Sequence, residues 1–369
     1  FPALNQVLIG LFQKKLHMDR SSAAEVISRI FLLLGIIISK KLNGGLNGIL
    51  IATVISSAIN FLLHYLFALK FATISFSFDI SLWKKIITRS WPLALTIILN
   101  LIYLRADTLI LSLFKDSEIV GLYGAAYRII DVLTTLPFMF AGLILPILTT
   151  AWLEKNSSSF KKVLQKSFDF MAIIAIPLLI GTQFLADPIM IFVAGEDFSD
   201  SGLILKILIF SVAAIFLGTM FTHATIALDK QKKLIGFYAF TSFSSLFAYL
   251  YLIPRYSYFG AAAVTIYSEV LIFIFSAHCV YKYSQFFPSL KVFLKSLIAS
   301  LIMGVFLYFL PAWCLNSLFG VIASLIIASL IYFAALYIIR GIKADELNAI
   351  FRKQSKGSVQ TYDPTSNNF

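Results

Sequence analysis

Residues 46–69 read LNGILIATVISSAINFLLHYLFAL, 24 residues with no Lys, Arg, Asp or Glu, set between the pair Lys40 and Lys41 and the single Lys70. A bilayer hydrocarbon core of about 30 Å takes roughly 20 apolar residues as helix. Lipid offers the backbone no hydrogen-bond partner, so an open strand is too costly there and the stretch reads as a transmembrane helix. Working outward on the same criterion gives ten full spans, at 24–39, 46–69, 91–114, 120–146, 167–186, 203–228, 234–253, 259–281, 292–311 and 317–339, preceded by a stub at 1–12. Composition agrees. Of 369 residues 59% are apolar and 13% charged, and a soluble domain would carry about 25% charge. The fold class read here is an all-α polytopic membrane protein.

The net charge of +12 reads in such a chain as topology rather than as nucleic-acid affinity. Counted over alternate loops, one set carries 22 Lys and Arg, from Lys14 to Lys356; the other carries Lys40, Lys41, Lys115 and Arg255 beside six acids. Positive loops stay inside, which places the first set, and the C-terminus, in the cytoplasm. The stub then enters the first cytoplasmic loop from within the membrane, so the chain is expected to be an N-terminally truncated piece of a longer protein. Cys279 and Cys314 have no ligand spacing around them and receive no role, and no cofactor or metal is called for.

Shifting the chain by 212 residues lays 17–70 on 229–282 without a gap. Gly48 meets Gly260, Thr53 meets Thr265, Ser56 meets Ser268 and Lys70 meets Lys282. Loop, span, outer turn, span and basic exit coincide. An even number of spans separates the copies, so the repeat is parallel. A six-helix unit then predicts two lobes plus two trailing helices, about fourteen spans in all. The divisions are 1–70, remainder of the N-terminal lobe; 71–90, an interfacial lobe linker; 91–282, the C-terminal lobe; 283–340, two additional helices; and 341–369, a cytoplasmic tail expected to be disordered after about residue 355.

With those features in place, WPLALTIILNLIYLRADTLILSLFKDSEIVGLYGAAYRIIDVL at 91–133 and LADPIMIFVAGEDFSDSGLILKILIFS at 185–211 resemble the polysaccharide-biosynthesis exporters. These are the O-antigen repeat-unit flippases within the multidrug/oligosaccharidyl-lipid/polysaccharide exporter superfamily. The resemblance implies a two-lobe fourteen-helix fold and no covalent chemistry. It also implies movement of an undecaprenyl-diphosphate-linked oligosaccharide across a bacterial inner membrane, among membrane lipids and other polysaccharide-assembly proteins. A multidrug exporter of the same superfamily is the alternative.

Charges inside spans are costly unless paired or wet, so they are the first functional candidates. At about 1.5 Å per residue, Asp107 lies about 10 Å below the outer end of its span and Arg128 about 12 Å below the start of the next, so the two are expected to form a structural pair. Arg105 lies about 200° around the helix from Asp107 and needs another partner or a wet cavity. Arg29, Arg105 and Arg128, with Tyr127, are the expected substrate-binding residues, because a guanidinium fork donates two parallel hydrogen bonds to a diphosphate and keeps its proton. For Arg29 a pair with Glu25 one turn away is an equal reading. Glu269 and Asp131 are the expected ion-coupling carboxyls. Tyr103, Tyr123 and Tyr127 fit either sugar stacking or an aromatic belt. Pro137, Pro146 and Pro177 mark hinges or static kinks.

Overall fold

The computed structural model describes residues 2–15, 18–71, 79–315 and 317–341. Ten helices carry the chain: α1 Pro2–Lys15, α2 Met18–Lys41, α3 Gly45–Ala68, α4 Ile80–Phe114, α5 Ser117–Leu153, α6 Ser157–Ala194, α7 Ser201–Ala227, α8 Gln231–Ser284, α9 Lys291–Tyr308 and α10 Leu318–Ile338. Among the described residues, α2, α3 and α5 to α10 are each long and apolar enough to cross a membrane. The polypeptide is a multi-pass membrane protein. Its contacts divide it into two units between Ile86 and Ile87, within the stretch expected as a linker. Residues 72–78, and the tail from 342 onward, lie outside the described residues.

In the first unit α2 and α3 form a hairpin glued by polar side chains at helical spacing. Ser56, Asn60 and His64 repeat every four residues on α3, and Ser21, Glu25 and Ser28 face them from α2. Ser56 Oγ donates to the Ser28 carbonyl at 2.7 Å, Asn60 Nδ2 donates to Ser28 Oγ at 2.8 Å, and Ser21 Oγ meets His64 Nε2 at 3.1 Å. Lipid tails are as apolar as leucine, so such bonds and close packing, rather than a hydrophobic drive, hold helices together there.

The second unit is built around α7. That helix is apolar on every face, which marks a buried helix. Leu208, Val212, Phe216 and Phe221 are almost wholly enclosed by side chains of α5, α6 and α8. On the far side of α6, α9 and α10 close over Leu185 with Met303, Leu307 and Tyr332. Tyr332 ties the layers together, sharing its hydroxyl with Ser296 at 2.8 Å and donating to the Ile173 carbonyl at 2.7 Å.

A straight helix of 54 residues would be about 81 Å long, and α8 is not straight. Ser257 takes φ 54°, ψ −136° and the chain folds back on itself, so that Tyr249 faces Thr265 and Ser244 faces Tyr267. The arms 231–256 and 258–284 answer to the two expected spans 234–253 and 259–281. Their close approach uses a missing side chain: a Cβ on Gly260 would stand 2.5 Å from the Leu252 carbonyl oxygen, a backbone atom with little room to move. Gly260→Ala is therefore expected to lower unfolding stability by about 1–3 kcal/mol, the usual cost of overpacking, read as a lower melting temperature in detergent. An unchanged melting temperature would show that the arms separate without cost.

Several expected boundaries need correction: α5 runs on to Leu153 rather than ending at 146, and α6 begins at Ser157 rather than at 167. Helix α6 runs to Ala194 rather than ending near 186, so the outer connection shrinks to Gly195–Asp200 around a short 3-10 turn, Glu196–Phe198. The reason is local: Asp187, expected in the loop, stays helical and accepts from Lys206 Nζ of α7 at 2.6 Å. Helix α4 likewise begins at Ile80, eleven residues before the apolar run that announces it. The prolines at 137, 146 and 177 all lie inside continuous helices.

Candidate functional site

The antiparallel packing of α4 and α5 in the second unit, with α7 and both arms of α8 beside them, leaves a cavity of about 310 Å³ inside the unit. Its walls include Arg105 of α4, Tyr127 and Asp131 of α5, His223 of α7, and Tyr238 and Glu269 of α8. Four of the site residues expected from sequence, Arg105, Tyr127, Asp131 and Glu269, thus meet in one place.

Arg105 Nη2 donates to Asp131 Oδ1 at 2.8 Å, and the two side chains remain 51% and 44% exposed. The guanidinium carbon sits 5.4 Å from the centre of the Tyr127 ring, within cation–π reach, and Tyr127 donates to the Leu104 carbonyl at 3.4 Å. An arginine held this way is oriented by an aromatic face yet reachable, and its fork has an anionic partner that an incoming anion would displace.

Asp107 does not pair with Arg128. It is wholly buried and accepts from the Tyr123 hydroxyl at 2.7 Å, the Thr108 amide at 2.6 Å and Thr265 Oγ1 at 3.3 Å. Tyr249 extends this network, meeting Thr265 Oγ1 at 3.2 Å and donating to the Tyr103 carbonyl at 3.1 Å. The expected pair rested on matching depth, and rotation about the helix axis is what separates the two residues. Tyr123 and Tyr127 set the inward face of α5, and Arg128 lies about 140° around from Tyr123 at 100° per residue. Arg128 is exposed, stands outside the cavity wall and has no ion-pair partner among the described residues. Asp131, three residues on, turns back toward α4 and takes Arg105.

Glu269 is 6% exposed, and its Oε1 finds no hydrogen-bond donor among the described residues. It lines the cavity with Tyr103 and Tyr238, whose rings stack 5.9 Å apart at 11°. His223 fixes its Nδ1 on the Thr219 carbonyl at 2.9 Å. The tyrosines at 103, 123 and 127 are buried, at 3%, 0% and 7% exposure, which excludes the aromatic-belt reading for them. Thr265, Tyr238 and Tyr249 are polar residues that a search for charge passes over.

Arg29 lies in the first unit. It pairs with Glu25 at 2.9 Å, whose other oxygen accepts from Asn60 Nδ2 at 3.1 Å. The pair borders a hollow of about 270 Å³ lined by Asn5, Ser28, Ser56 and Asn60.

Comparison with known proteins gives consistent findings. A family model described as "Polysaccharide biosynthesis protein" matches residues 1–203. Over 206 residues the chain is 23% identical to "Probable flippase AglR" of Haloferax volcanii; that stretch is 55% of this chain and 43% of AglR. The chain therefore spans less than half the length of that relative. Among solved structures, "Lipid II flippase MurJ, inward closed conformation" superposes with a TM-score of 0.75 over 95% of this chain and 71% of MurJ, at 17% identity. This establishes a shared multi-helix transporter fold.

Proposed function

The chain belongs to the polysaccharide biosynthesis protein family, and from that premise we propose that it is a flippase for a lipid-linked oligosaccharide. The finer reading is an undecaprenyl-diphosphate-linked repeat unit carried across a bacterial inner membrane for O-antigen or capsule assembly. In this reading the C-terminus faces the cytoplasm, and other polysaccharide-assembly proteins supply and consume the substrate. AglR is named as a probable flippase and MurJ as a lipid II flippase, and both names support the class.

The observation that carries the reading is the Arg105–Asp131 pair over Tyr127, half-exposed in a cavity within membrane-spanning helices. A buried, permanent pair would serve structure alone. An accessible guanidinium fork held over a tyrosine ring offers an anion site. Arg29 of the first unit, and Arg128, which is not in the cavity wall, are kept as further anion contacts. Glu269, an acid in the same cavity with one oxygen unbonded, is assigned the coupling to an ion or proton, with Asp131 as its companion.

The test uses cells lacking the full-length protein. Lipid-linked oligosaccharide should accumulate where a membrane-impermeant probe outside spheroplasts cannot reach it. Wild-type protein should restore outer-leaflet product, and Glu269→Gln should not. Undiminished outer-leaflet product in the deleted strain would end the flippase reading; full rescue by Glu269→Gln would end the coupling role alone.

A further inference from the structure

A second hollow in the same unit lies at the opposite end of its function, in the basic loops rather than the spans. We propose that the groove between the end of α5, the start of α6 and the end of α8 holds the phosphodiester headgroup of an anionic phospholipid. The groove encloses about 600 Å³ and is lined by Trp152, Lys155, Ser157, Lys161 and Tyr283, among others. Behind the Tyr283 ring stand two more ammonium groups, Lys230 Nζ at 5.0 Å and Lys233 Nζ at 5.6 Å from its centre. Two cations thus line the hollow, and two more lie against the ring that forms part of its wall.

Charge balance in the three segments 154–162, 229–233 and 282–286 is seven lysines against Glu154 and Asp229. Neither acid lines the groove: Glu154 borders a different hollow, with Pro146 and Thr150, and Asp229 accepts from Gln231 Nε2 at 3.0 Å. Lys155 and Lys161 have no carboxyl partner among the described residues. Like charges held together without counter-charge favour an anion from outside the chain.

The wall decides which anion. Leu153, in the groove wall, stands 75% exposed, and Trp152 beside it adds an amphipathic ring of the kind that prefers the headgroup level. Apolar wall beside basic side chains matches a lipid, with acyl chain against one and phosphate against the other; a free phosphate has no use for the apolar wall. The positive-loop reading puts the groove on the cytoplasmic leaflet, whose anionic lipids attract basic residues near the surface by about 1 kcal/mol each. The ligand class follows from the membrane setting and charge, independently of what the protein transports.

The experiment is native mass spectrometry of the full-length protein released from nanodiscs of phosphatidylglycerol and phosphatidylcholine. Wild type should retain phosphatidylglycerol preferentially, and Lys155→Gln with Lys161→Gln should reduce that preference about 30-fold, two lysines at the energy given for each. Lys155→Arg with Lys161→Arg should keep it, and Lys232→Gln, exposed outside the groove, should change it less than about threefold. Melting temperature should be unchanged in all, since neither groove lysine has a carboxyl partner among the described residues that its replacement would strand. Equal retention of both lipids by wild type, selectivity surviving the double Gln variant, or selectivity lost in the double Arg variant would each overturn the assignment. Displacement of the bound lipid by millimolar inorganic phosphate would overturn the lipid in favour of a free phosphate.

Discussion

Arg105→Ala in the full-length protein should reduce outer-leaflet delivery of lipid-linked oligosaccharide about 100-fold or more while leaving its abundance in the membrane unchanged. Two hydrogen bonds from a charged donor are worth about 1.5–3 kcal/mol each, and each 1.4 kcal/mol is about a factor of ten. The same substitution costs little stability, because the pair with Asp131 is half-exposed on both sides and solvated pairs contribute about 0–1 kcal/mol. Arg105→Lys keeps the charge and loses the planar fork, so delivery should fall by an intermediate factor of about ten. Quantifying the protein by immunoblot and the product by surface labelling in the same cells separates chemistry from folding. Full delivery by Arg105→Ala at normal abundance removes Arg105 from the site.

Asp107→Ala should do the reverse, lowering abundance and melting temperature first. Asp107 is fully enclosed and serves Tyr123, Thr265 and the Thr108 amide. Its loss leaves the buried Tyr123 hydroxyl without its acceptor, at about 1–3 kcal/mol, while Thr265 keeps the Ala261 carbonyl at 3.0 Å. The network makes a sharper statement: Tyr123→Phe in the Asp107→Ala background should cost much less than in wild type, because the hydroxyl it removes is already orphaned. Additive costs in that cycle, or a wild-type melting temperature for Asp107→Ala, would show that the hydrogen bonds carry no stability.

The spans were legible because their signals are local: apolar runs of sufficient length bounded by charged residues. The same signals misplace helix ends wherever a helix outlasts its apolar run. Asp187 looks like loop until Lys206 is seen one helix away. Arg105, Tyr127, Asp131 and Glu269 were legible as candidates because polar groups at membrane depth stand out against their surroundings. Which partner each takes was not, since depth along a helix follows from counting, whereas rotation about its axis follows from packing. Arg128 and Asp131 differ by less than a turn in depth and by the side of α5 they occupy. Tyr123 and Tyr127, four apart, held the missing orientation, though only their burial identifies the inward face. Thr265, Tyr238 and Tyr249 carry no charge and so left no mark in the sequence until α8 folded back to bring its arms against α4.

The isolation of α7 bears on how the protein comes apart. The hydroxyls of Ser211 and Thr219 bond to carbonyls of their own helix, so from Ile207 to Phe221 no side chain among the described residues hydrogen-bonds to a neighbouring helix; the first that does is Thr222, to Ser276 at 3.1 Å. An acyl chain or a detergent tail offers that surface nearly the same dispersion contacts as Phe273, set against Gly218, or Leu164 of α6. Only the fit of solid shapes distinguishes protein from solvent there. Small, penetrating detergents should therefore unseat the bundle's axle while every helix keeps its own backbone bonds, and loss of the cavity will precede loss of helicity.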